Sequence, residues 1–338
     1  MTPVAGLVEQ LFLRRMPQGP LQPDDIGLRS AAIDRRKSLR LEPHYFSVDP
    51  YMRNRMQPEG YDYIARWQTG SVLSGWALAR VGESQSPMWQ RGDWALGHLP
   101  MQTMVEHDGA GLIRYPASAE PPLAGLHPLG MTGFTAWLGV CRIGRPLASD
   151  TVLVGAAAGA VGSLAAQWAR RAGAQVIVTA GRREKREWLK AVGFEHVLDH
   201  RALDYAERLR EIVPDGITLN FESLGGSAFE IANTLMRPGG RVVLCGLISQ
   251  YQQPEPRRAP ANLARLGGLG VSVHPFVAPE YLHEWEAFQR ATQLPVAAGE
   301  LVWRLDIVEG GLAAVPRALT GLFDGDNLGK RVVKMDYR

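Results

Sequence analysis

Val152-Leu-Val-Gly-Ala-Ala-Ala-Gly-Ala-Val-Gly162, followed by Gln175-Val-Ile-Val-Thr-Ala180-Gly-Arg-Arg-Glu-Lys185, decides the fold of this chain. A short apolar strand enters a turn of small residues, an alanine-rich helix opens, and a second apolar strand follows. That order is a nucleotide-binding βαβ unit. Small residues let the backbone approach a pyrophosphate, and the helix N-terminus turns free N–H groups toward it. Gly159 and Gly162 hold two of the three usual glycine positions, and Ala157 fills the first; Ala160 and Val161 complete the turn. About 20 residues further on, an NAD site carries an acid that accepts from a ribose 2′-OH. Here that place holds Ala180-Gly181 and then Arg182, Arg183 and Lys185. Cations in a first helical turn oppose the macrodipole, so a bound anion explains them best, and a 2′-phosphate is the anion that suits them. The expected cofactor is NADP(H).

Outward from that unit, 338 residues suffice for about two domains, and the composition is that of an ordinary globular protein. A formal charge of +3 with dispersed cations argues against a nucleic-acid surface. Cys141 and Cys245 are too few for a disulfide scaffold or a four-thiolate zinc lobe, and both sit among apolar neighbours. Thr151 to Ala169 carries no charge, yet its Gly/Ala content with Ser163 and Gln167 fits strand–turn–helix better than a membrane span. Met1–Arg15 lacks an initial positive charge and contains Glu9, a poor signal peptide, so a cytoplasmic location without membrane attachment is expected.

Strand and helix alternate from Leu123 to about Ala291. Strands are expected at 151–154, 175–179, 196–199, 217–221 and 241–245, and helices at 183–191, 205–212 and 228–236. Arg237-Pro-Gly-Gly240 reads as a hard break. The alternation predicts a doubly wound, mostly parallel α/β sheet over 123–295. Residues 1–122 are rich in Pro and Gly, and runs such as Ser71–Val81 and Asp93–Leu96 suggest an antiparallel, barrel-like domain. Residues 296–338 end in a turn and strand, Gly325 to Lys334, expected to return to that first domain.

Five segments in order then resemble the medium-chain dehydrogenase/reductase superfamily, specifically its zinc-free prostaglandin reductase and alkenal (enone) double-bond reductase branch. They are Ser47-Val-Asp-Pro-Tyr-Met-Arg53 with Arg55-Met56, Gly130-Met-Thr-Gly-Phe-Thr-Ala136, Ala156–Gly162, Cys245-Gly-Leu-Ile-Ser-Gln-Tyr251, and Gly325-Asp-Asn-Leu-Gly-Lys330. The resemblance implies a Rossmann domain inserted into a GroES-like, mostly antiparallel β-barrel domain, and a homodimer with an edge strand near Gly270–Phe276. It places Met131 and Thr132 near the nicotinamide, with Cys245 in the same cofactor region. Lys185 is implied at the 2′-phosphate, Tyr251 near the nicotinamide ribose, and Asn327 at the cofactor. His200 stands where the family commonly has a tyrosine; a neutral imidazole still hydrogen-bonds phosphate and a charged one binds it better, so cofactor affinity is expected to follow the His200 titration.

The branch reduces the C=C bond of α,β-unsaturated ketones and aldehydes by hydride transfer from NADPH to the β-carbon. Tyr251 is the expected donor to the oxygen that gains charge, acting directly or by holding the nicotinamide ribose hydroxyl. Tyr51, Tyr61 and Tyr63 are expected to line the substrate pocket, with Tyr51 also a catalytic candidate. Trp67, Trp76 and Trp137 favour a hydrophobic substrate. No Gly-His-Glu motif and no paired histidines appear, so no metal is expected. Each assignment has a plainer alternative: a packed tyrosine at 251, a turn asparagine at 327, a solvated histidine at 200, core aromatics elsewhere. Two other functions use the same cofactor site, an NADPH quinone oxidoreductase and a non-catalytic NADPH-binding protein.

Overall fold

The computed structural model describes residues 6–33, 37–57, 64–253 and 259–337; Tyr61 and Tyr63 lie outside them. The chain divides into two compact units. One is formed by Met1–Leu126, Leu305–Asp326 and Lys330–Arg338, the other by His127–Arg304 with Asn327–Gly329. The boundaries thus fall at 126/127 and 304/305, where the sequence reading places 122/123 and 295/296.

The first unit opens with β1 (Leu7–Leu13) and β2 (Ile26–Ala32), paired antiparallel as a separate ribbon. Next come β3 (Leu39–Ser47), the short helix α1 (Tyr51–Asn54), β4 (Ser74–Ser84), β5 (Trp94–Pro100), β6 (Val105–His107) and β7 (Ile113–Tyr115). β3, β4, β5 and β7 are antiparallel neighbours. Their inward side chains, among them Leu39, Leu41, Phe46, Ala77, Ala79 and Leu99, share one core with Trp67 and Met52. Trp67 is therefore packing, with the Arg55 guanidinium 4.2 Å above its ring.

The second unit begins with α2 (Met131–Trp137), which continues as a π-helical stretch to Gly144. Its strands are β8 (Thr151–Val154), β9 (Gln175–Thr179), β10 (His196–Leu198), β11 (Ile217–Glu222), β12 (Met236–Leu244) and β13 (Ser272–Pro275). They align in the order β10-β9-β8-β11-β12-β13, all parallel. This is the doubly wound arrangement, whose reversal of direction at β8 leaves the ends of β8 and β11 to receive a ligand. The connecting helices are α3 (Gly162–Arg171), α4 (Arg183–Ala191), α5 (Tyr205–Ile212) and α6 (Gly226–Thr234), then α7 (Leu263–Gly268) and α8 (Trp285–Ala297). The uncharged stretch from Thr151 to Ala169 is strand, turn and helix, and α3 buries Leu164, Ala165, Ala166 and Ala169 on the sheet. Gln167 is tolerated there because its amide donates to Ser163 O and Val302 O and accepts from Val302 N. Trp137 packs with Phe134, Phe288 and Trp285 and is core.

Arg237-Pro-Gly-Gly240 does not end an element. β12 runs through it as a bulge: Ile217 faces Met236, but Leu219 already faces Arg241. The chain then adds β14 (Leu305–Val308), α9 (Gly311–Asp324) and β15 (Lys330–Lys334) to the first unit. β15 pairs antiparallel with β3 and parallel with β14. No described helix is long and apolar enough to cross a membrane.

Candidate cofactor site

The turn after β8 is shaped by its own backbone. Ala156 adopts a left-handed conformation (φ 49°), a strained choice for a residue with a Cβ. Its carbonyl then lies against the start of α3: a Cβ on Gly162 would sit 2.6 Å from Ala156 O, and one on Gly159 3.2 Å from it. Glycine at 162 is thus a condition of closing the turn. Ala157 fits at the first position because it is fully buried and donates its N–H to Thr179 O on β9 (3.0 Å). Gly159 donates to Ala156 O. No acceptor faces the N–H of Ala160, Val161 or Gly162 among the described residues. Three consecutive uncommitted amides at a helix N-terminus form an anion cradle, which fits a diphosphate.

The cations gather at the ends of β9 and β10. Lys185 Nζ, on α4, lies 3.5 Å from Asn327 Oδ1, and Asn327 Nδ2 in turn donates to Gly329 O (2.9 Å). Gly329 N–H donates to Ala158 O (2.8 Å), so this three-residue segment is stitched onto the glycine turn. Two expected cofactor residues that are 142 positions apart are therefore neighbours. Arg182 precedes α4 as its N-cap residue, half-buried. Arg183 is drawn off: it pairs with Glu187 one turn along the helix (2.6 Å) and is 86% exposed.

Two arginines that the sequence did not single out take part. Arg186 reaches back to Ala180 O, Gly181 O and Asp199 Oδ2 (2.6 Å), which clamps the end of β9 to the end of β10. Arg201 covers Gly181, its Nε 2.7 Å from where a Cβ would stand. Half-buried between these groups, His200 has a buried Nδ1 without a hydrogen-bond partner. Burial, then Arg201, with Lys185 and Arg186 behind it and Asp199 opposing, pulls the imidazole down to about 4.

That value moves the expected pH dependence out of the neutral range. A bound phosphate raises the imidazole pKa, so the added affinity is complete below the free value of about 4. It is lost as pH rises through the value in the complex. Wild type and His200→Gln should show parallel pH profiles of NADP+ affinity from about pH 6.5 upward and diverge only in acid. A His200-dependent step of the free protein near its ordinary pKa, seen by NMR titration, would contradict this.

Elsewhere in the same unit, Met131 and Thr132 start α2, both half-buried. Thr132 Oγ1 donates to His127 O (3.2 Å). The Cys245 and Gly246 N–H groups both donate to Glu222 O, and burial pushes the Cys245 thiol up to about 12, so neither amide nor thiolate at 245 is available. The Tyr251 hydroxyl lies over Gly246, 2.8 Å from where a Cβ would stand. Glu222, fully buried with its pKa raised by desolvation, accepts from Leu224 N, Gly225 N and Asn220 Nδ2 and so shapes the loop after β11. In the first unit, half-buried Tyr51 begins α1 and packs on the core.

A family model described as zinc-binding dehydrogenase matches residues 160–293, and one described as the N-terminal domain of oxidoreductase matches 9–115. The chain is 34% identical over 331 residues to an NADPH-dependent curcumin reductase of Escherichia coli, covering 96% of this chain and 95% of that protein. It belongs to the enone-reductase branch of the medium-chain dehydrogenase/reductase superfamily. A second member, a 2-alkenal reductase (NADP(+)-dependent) of Nicotiana tabacum, is 32% identical and covers 96% of each chain. The crystal structure of CurA in complex with NADPH from Vibrio vulnificus superimposes with a TM-score of 0.91 at 32% identity, covering 98% of this chain and 100% of that one. The family description names zinc, but no group of three or more His, Cys, Asp or Glu among the described residues could hold a metal ion. Among the described residues, then, the donor set does not fit that metal.

Proposed function

We propose that this NADP-dependent oxidoreductase reduces the C=C bond of α,β-unsaturated ketones and aldehydes, without zinc. The observation that carries the reading is the anion cradle at Ala160–Gly162 stitched through Gly329 and Asn327 to Lys185. The names of the relatives, curcumin reductase and 2-alkenal reductase, support the substrate class. Bound NADPH supplies the hydride for the β-carbon. The chain's own residues then do the rest. The amides of Ala160, Val161 and Gly162 hold the diphosphate. Lys185, Asn327, Arg182 and His200, at the edge of Gly181, hold the adenosine 2′-phosphate, while Met131, Thr132 and the Cys245 segment border the nicotinamide. Tyr251 donates from its hydroxyl to the carbonyl oxygen as negative charge builds there, which needs no deprotonation of the phenol. Tyr51 borders the substrate.

Removing one donor to a developing oxyanion costs about 10²–10³ in kcat. Tyr251→Phe should lower kcat by about that factor and leave NADP+ affinity within about 3-fold; retention of most of kcat/KM would remove Tyr251 from the donor role.

The function is tested by following oxidation of NADPH, with NADH alongside, on short enones, a long-chain alkenal and a quinone. Enone or alkenal turnover with a strong NADPH preference supports the proposal. Turnover of the quinone alone makes the protein a quinone oxidoreductase. NADPH binding without turnover of any of them favours a non-catalytic role. A homodimer is part of the proposal: β13 is an exposed sheet edge, open to strand pairing with a second copy. Light scattering on the purified protein decides it.

A further inference from the structure

His127 is completely buried, at the junction that opens the second unit, and none of the expected roles uses it. Its ring Nε2 lies 2.8 Å from Ala160 O, in the middle of the glycine turn. A carbonyl only accepts, so the imidazole carries its proton on Nε2 and donates. The same residue's backbone carbonyl accepts from Gly133 N (2.9 Å), Gly130 N (3.2 Å) and Thr132 Oγ1 (3.2 Å). One residue thus grips the start of α2 with its main chain and the start of α3 with its side chain.

The consequence follows from the peptide bond. In a planar trans peptide the C=O of one residue and the N–H of the next point in opposite directions. Holding Ala160 O toward His127 therefore turns Val161 N–H away from it, and that amide, like those of Ala160 and Gly162, has no acceptor among the described residues. Without that hydrogen bond, the Ala160–Val161 peptide is free to rotate and the cradle loses its middle donor.

We propose that His127 is a positioning residue that aims the Val161 amide at the cofactor diphosphate. The inference rests on the cofactor reading above, and it makes affinity for the diphosphate, and not for the 2′-phosphate, depend on a histidine that touches neither.

The test compares two ligands by calorimetry on the full chain: NADP+, which has the diphosphate, and adenosine 2′-monophosphate, which lacks it. His127→Leu should bind NADP+ about 10-fold more weakly, the effect of one lost hydrogen bond with a carbonyl left unsatisfied. It should bind adenosine 2′-monophosphate within about 2-fold of wild type, and this also reports that the variant is folded. His127→Gln, which keeps an amide donor, should regain a measurable part of the NADP+ affinity. Equal weakening toward both ligands, or no weakening toward NADP+, would overturn the assignment. Should wild type bind neither ligand, the cofactor reading itself fails, an outcome separate from a silent His127 substitution.

Discussion

Lys330→Ala is expected to destabilise the first unit by about 3–5 kcal/mol, the cost of leaving a buried charge without its partner. The Lys330 side chain is 1% exposed, and its ammonium donates to Asp49 Oδ1 (2.5 Å) and Val48 O (3.0 Å). Ser47 Oγ donates to the other carboxylate oxygen. Removing the lysine strands the Asp49 carboxylate, which is 11% exposed, in a place that hydration reaches poorly. The damage extends to Tyr51, because Met52 N–H closes on Asp49 O at the start of α1. Urea unfolding of wild type, Lys330→Ala and the double variant Lys330→Met/Asp49→Asn checks the origin of the effect. The double variant, with no stranded charge, should recover a large part of the loss. A single-variant loss under about 1 kcal/mol would mean that the pair stabilises little.

Gly133→Ala is the second large effect. A Cβ there would stand 2.1 Å from Pro128 O, 2.6 Å from Pro128 C and 2.9 Å from His127 O, all main-chain atoms that cannot rotate aside. The backbone must move by about an ångström, which overpacking data put at about 1–3 kcal/mol or more. That movement passes directly into Met131 and Thr132, the proposed nicotinamide-side residues two positions and one position earlier. A displacement of that size costs on the order of 10²-fold in a reaction that depends on orientation. Thermal unfolding should show a lowered midpoint and steady-state kinetics a drop in kcat; normal kcat at a normal melting temperature would show that the loop can relax.

The fold was legible where neighbours in sequence are neighbours in space. β8, β9, α4 and α5 fall where apolar period, Gly and Pro placed them. The Arg237–Gly240 stretch misled because a β-bulge and a chain break use the same residues, and only the pairing of β12 with β11 distinguishes them. At the site, the glycine turn was legible because its requirements are local. Lys185 and Asn327 were each placed at the cofactor by family likeness, and only the fold brings them together, since nothing in either segment points at the other. Arg183 and Lys185 look alike in sequence, and a glutamate one turn away draws Arg183 out along the exposed face of α4. His127 left no sequence signal at all: its partner is a backbone carbonyl, which every residue has.

The pairing of β15 with β3 also has a meaning in time. Val332 and Val333 lie against Ser47 and Phe46, and 281 positions separate Asp49 from Lys330. At the usual pace of translation, a ribosome needs roughly 15–55 s to cover that interval. Throughout it, the nascent chain carries the Tyr45–Ser47 end of one border of β3 with no strand beside it, β6 covering only Leu39–Leu41, and a carboxylate with no cation. The second unit has every strand of its parallel sheet by then and can consolidate first. The first unit is begun earliest and finished last, and its open border is the part of the newborn protein with most need of a chaperone.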